Sequence, residues 1–136
     1  MIHSVMTIRE LLVYEGEYFT IEWGLAPNGK CQAREYYTSL TLDDQAKASA
    51  LFARMADRGR ILDKTKFTKE TEKLYAFKPQ PHRFFCFFVK GRKIIIVTAY
   101  RKQRDKAPKL EIDRANGIRL AYLEQLSVEE EGHGKT

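Results

Sequence analysis

The sequence has only two cysteines and three histidines, and none of them is spaced to hold a metal. Cys31 and Cys86 sit in apolar-patterned segments, where cysteine behaves as a small hydrophobe. His3, His82 and His133 are scattered along the chain, which argues against a zinc site. There is no glycine-rich phosphate loop, no helix with paired histidines, and no serine or cysteine in a nucleophile setting. No metal and no cofactor is expected. Long apolar runs are missing too. The longest, around residues 84–89 and 94–99, are strand length, far short of the ~18 residues that span a membrane. The N-terminus has no basic stretch before an apolar core, and Arg9 and Glu10 interrupt any such core, so no secretory signal is read there. A cytoplasmic setting is expected.

What is present is a chain of 136 residues with 43% apolar and 12% aromatic residues. That suffices for one domain over residues 1–136 with a real core. Residues 1–16 read as a frayed leader or a short helix, and 129–136 as a disordered tail. Lys and Arg number 24 against 18 Asp and Glu, a net charge of +6. A basic balance in a small domain favours a polyanionic partner.

Residues 18–23 are aromatic and β-branched and read as a first strand. Ala33, Tyr36, Tyr37 and Leu40 follow at helical spacing. Thr41 with Asp44 three residues on resembles a capping box. It opens a second helix that carries Ala48, Leu51, Phe52 and Met55 and stops at Gly59. Residues 60–73 read as a polar connection. Strands are expected over 74–78, 83–89 and 94–100, the last two joined at Gly91. The middle one is almost wholly apolar and should be covered on both faces. Pro108 opens a final helix. The order reads β-α-α-β-β-β-α, an α+β fold with a small twisted antiparallel sheet, a helical hairpin and a C-terminal helix.

The chemistry lies in basic and aromatic residues at strand ends. Alternation puts Arg83, Phe85, Phe87 and Val89 on one face of their strand, and Ile94, Ile96, Thr98 and Tyr100 on one face of the next. Arg101, Lys102, Arg104 and Lys106 follow in a loop, and Lys78 closes the preceding strand. Such a set can hold an RNA backbone and stack a base. It can also cleave RNA by the 2′-hydroxyl route, which needs a proton acceptor, a cation and an acid. Arg83, Tyr100, Lys102 and His82 are the candidates for those roles. Lys78, Arg101, Arg104 and Lys106 are candidates for RNA binding. The rival readings are a solvated basic turn at 101–109, Arg83 paired to a helix acid, Tyr100 as ordinary core and His82 as a loop residue.

Three blocks occur in order: Leu74, Tyr75, Phe77 and Lys78; Arg83 opening an apolar strand; and the run from Tyr100 to Pro108 followed by Glu111, Ile112, Asp113 and Ala115. With the upstream helical hairpin, this set over residues 18–123 resembles the RelE/HigB-like toxins of type II toxin–antitoxin systems, in particular their phage-derived branch. His82 stands where that family usually has tyrosine, and Gln103 where lysine is common. The resemblance implies a ribosome-dependent mRNA endonuclease. Its implied partners are mRNA on the ribosome and a cognate antitoxin, a small helix-turn-helix protein from the adjacent gene. The alternative is a non-catalytic protein of the same fold, a gyrase inhibitor or a phage regulatory nucleic-acid binder.

Overall fold

The computed structural model describes residues 8–104 and 107–134. A short helix α1 (Ile8–Leu11) leads into strand β1 (Leu12–Glu15), where the sequence read only a leader or short helix. β1 turns back into β2 (Thr20–Trp23), and the helical hairpin follows as α2 (Gln32–Ser39) and α3 (Leu42–Arg58). The Thr41 hydroxyl accepts the Asp44 backbone N–H at 3.2 Å, and Gly59 takes φ 81° with its N–H on the Met55 carbonyl. Both ends of α3 are therefore satisfied as the sequence signals require. The supposed polar connection after α3 contains a strand, β3 (Phe67–Lys69). Then come β4 (Tyr75–Phe77), β5 (His82–Val89), β6 (Lys93–Arg101) and α4 (Lys109–Gly134). The helix α4 runs through 129–134, where a disordered tail was expected, and Glu130 forms an ion pair with Lys90 of the β5–β6 turn.

The six strands lie in the order β1-β2-β6-β5-β4-β3. All neighbours are antiparallel except β2 and β6, which run parallel. The long apolar strands β5 and β6 are central and covered on both sides. On one side, Phe84, Cys86, Ile94, Ile96 and Ala99 pack against the hairpin residues Ala48, Leu51, Phe52 and Met55. On the other, Phe85, Phe87, Ile95 and Val97 meet Ala115, with Ile112, Ile118 and Tyr122 of α4 beside it. Phe52 is the hub of the first layer, edge-on to Phe77 at 4.9 Å and to Phe84 at 5.5 Å. Such pairs add about 0.5–1.5 kcal/mol each beyond area burial. The β1–β2 turn docks on the end of α3, where the Tyr18 and Phe19 N–H groups both donate to the Ala56 carbonyl. This uses one of the carbonyls that a helix C-terminus leaves unpaired.

Candidate functional site

Strict alternation along β6 would put Tyr100 with Ile94 and Ile96, on the hairpin face. The structure corrects this. Phe85 pairs with Thr98 and Cys86 with Ile96, so Val97 is an extra residue in the ladder. A bulge of this kind shifts every later side chain to the opposite face. Ala99 consequently joins the hairpin layer, and Tyr100 packs on the α4 layer. There it lies directly across from Arg83 in register.

Arg83 is only 6% exposed. Its Nη1 donates to Gln80 Oε1 at 3.1 Å and to the His82 carbonyl at 3.0 Å, so its fixed partners are an amide and a carbonyl, not a helix acid. Burial pulls its pKa down, while the nearby Tyr100 phenol and Glu70 carboxylate act the other way. The Tyr100 ring sits 5.7 Å from Phe85. Burial raises its phenol pKa above the ordinary 10.0, Glu70 and Glu111 push it further up, and Arg83 opposes them. At neutral pH Tyr100 is a proton donor. Lys78 Nζ stands 3.7 Å from Glu70 Oε1 and 3.5 Å from the Lys64 carbonyl. Glu70 also accepts the Thr68 hydroxyl at 2.9 Å. From α4, Glu111 has one carboxylate oxygen on Arg114 at 3.3 Å. Its other oxygen is buried with no hydrogen-bond partner among the described residues.

His82 is not part of this group. It points to the opposite face, 4% exposed, with Nδ1 2.6 Å from the Tyr36 hydroxyl and Nε2 2.9 Å from Asp44 Oδ2. Since Asp44 accepts the Nε2 proton, the neutral ring accepts the Tyr36 proton at Nδ1. The contact holds the Asp44 carboxyl below its usual range. Tyr36 comes from α2 and Asp44 from α3, so His82 ties both hairpin helices to the start of β5. Arg101 pairs in register with His82, and its charge bears on Tyr36 and Asp44. It too belongs to the hairpin side. Lys102 is half-buried, and its N–H on the Pro81 carbonyl at 2.8 Å carries the β5–β6 pairing one step past the strand. Arg104 is exposed in a bend, and Lys106 lies outside the described residues.

The sequence reading missed two residues. Glu70 sits just after a strand of three residues, too short to show alternation, so it read as part of a polar linker. Glu111 has the position of an ordinary first-turn acid, and only its neighbours distinguish it.

Among the described residues no group of His, Cys, Asp or Glu could hold a metal ion, and no helix is long and apolar enough to cross a membrane. A six-stranded sheet with a helical hairpin on one face and a C-terminal helix on the other is consistent with a RelE-like α+β fold. Residues 35–119 match the family described as phage derived protein Gp49-like (DUF891). The match spans more than half of the chain, and the protein belongs to that family, which is of the RelE/HigB toxin-like kind. No curated protein matches the chain significantly.

Proposed function

We propose that the protein is the toxin of a type II toxin–antitoxin pair and cuts mRNA on the ribosome. The observation that carries this reading is the convergence of two cations, a protonated phenol and a carboxylate on one sheet face, from β4, β5, β6 and the end of β3. In that arrangement Glu70 takes the proton of the attacking 2′-hydroxyl. The 2′-oxygen then bonds to phosphorus while Arg83 and Lys78 meet the extra negative charge. Tyr100 gives its proton to the departing 5′-oxygen. The products are a 2′,3′-cyclic phosphate and a free 5′-hydroxyl. Lys102 and Arg104 hold the backbone beside the site, with Arg101 at its far edge; Lys106 is a further RNA-binding candidate. His82 serves as the clamp between hairpin and sheet and moves no proton. An antitoxin from the adjacent gene, with an acidic or amphipathic segment, covers the basic surface, and charge complementarity speeds their association.

Induced expression tests the reading, with translation, mRNA integrity and DNA supercoiling followed together. Cleaved message with unchanged supercoiling is expected. Intact message with altered supercoiling would overturn the nuclease in favour of a gyrase inhibitor.

A further inference from the structure

Away from the site, Arg54, Arg58 and Arg60 surround a cavity of about 510 Å³ that is completed by Ile61, Leu62 and Asp63. The local fold builds it. Arg54 and Arg58 are one turn apart on α3, and left-handed Gly59 turns the chain so that Arg60 lines the same hollow. All three arginines are exposed, and the charge of Arg54 bears on Asp63 in the same hollow. The only carboxylate there, Asp63, is engaged by the Thr65 N–H at 2.9 Å and the Thr65 hydroxyl at 2.6 Å. Planar guanidinium forks of this kind suit phosphate oxygens.

The segment leaving the hollow indicates which phosphate. It carries exposed Lys64 and Lys66 and lies against the candidate site. Lys78 donates its N–H to the Lys66 carbonyl at 2.8 Å. Gln80 donates Nε2 to the Thr65 carbonyl at 3.1 Å, and its Oε1 holds Arg83. The chain segment that carries Lys64 and Lys66 therefore connects the arginine hollow to Lys78 and, through Gln80, to Arg83.

We infer that the arginine hollow takes the sugar–phosphate backbone of the RNA flanking the bond held at Arg83. This rests on the RNA reading above, and its test uses binding instead of cleavage so that the two can fail separately. Affinity of the full chain for a fluorescent single-stranded oligoribonucleotide is measured across salt concentrations. The variant carries Arg54→Gln, Arg58→Gln and Arg60→Gln, all exposed, the two on α3 keeping a good helix former, with folding checked by circular dichroism. Each lost phosphate contact lowers the salt slope by about 0.7 for single strands, so three lower it by about 2. Affinity at moderate salt should fall on the order of 10- to 100-fold. Arg83→Ala should lower the slope by no more than about one contact. An unchanged slope in the triple variant, with Arg83→Ala still weakening binding, would overturn the hollow and leave the RNA site standing. Failure of the wild type to bind the oligonucleotide even at low salt would overturn this connection as a route for RNA. Arg54→Gln and Arg58→Gln made singly should each take a share of the slope.

Discussion

Replacing Arg83 with alanine separates the chemistry of the site from the stability of the fold. The side chain is almost wholly buried, and the two methylenes that alanine lacks contribute about 1.5 kcal/mol by burial. Its bond to the His82 carbonyl adds about 1 kcal/mol net. The bond to Gln80 is worth less, because Gln80 is exposed and its amide can turn to water. Against these stands relief from holding a charge in a buried place. The balance is a loss of about 1–3 kcal/mol, within the 5–15 kcal/mol typical of a domain. Arg83→Ala should therefore fold and melt cooperatively. Cleavage should fall about 10²–10³-fold, the usual loss for one preorganised donor. Arg83→Lys keeps the charge but not the fork and should recover part of the rate. Thermal unfolding and single-turnover cleavage on programmed ribosomes measure both quantities. A folded Arg83→Ala protein that cuts at the wild-type rate would refute the assignment. Wholesale unfolding would refute the energy balance.

Tyr100→Phe keeps the ring against Phe85 and removes only the acid. The rate should fall about 10²–10⁴-fold with RNA affinity unchanged, as read by cleavage and binding assays side by side. In Gly16→Ala, a new Cβ would lie 2.4 Å from the Ala56 carbonyl carbon, a backbone atom that cannot step aside. A loss of about 1–3 kcal/mol should appear as a lower denaturant midpoint. The Asp44 carboxyl is held below its ordinary value near 3.8, chiefly by the hydrogen bond from His82. Its contribution to stability is thus complete above that pH and fades as pH drops through the lowered folded value. Asp44→Asn should make acid unfolding below about pH 4 less steep, and an unchanged acid limb would count against the clamp.

The helical hairpin was legible because its signals are local and strong: Thr41 with Asp44, a stripe from Ala48 to Met55, and Gly59. The apolar run of β5 announced its own burial on both sides. The strands β1 and β3 were not legible, because their segments carry no sustained apolar alternation and are recognisable only by their pairing. At the site, sequence identified Arg83, Lys78 and Tyr100 as residues at strand ends. It could not place Tyr100, because the Val97 bulge that brings it opposite Arg83 leaves no mark in a run of β-branched residues. It grouped His82 with Arg83 through adjacency, although neighbours on a strand face opposite ways. Glu70 was hidden because its partners Lys78, Arg83 and Tyr100 all come from later strands.

The central claim is that this sheet face cuts a phosphodiester within a translated message. Purified wild-type protein added to ribosomes programmed with a defined mRNA tests it directly, with the ends of the message mapped. The account predicts cleavage that requires the ribosome and leaves a 2′,3′-cyclic phosphate and a 5′-hydroxyl, and that fails with Arg83→Ala. A message left whole by folded wild-type protein under those conditions would contradict it.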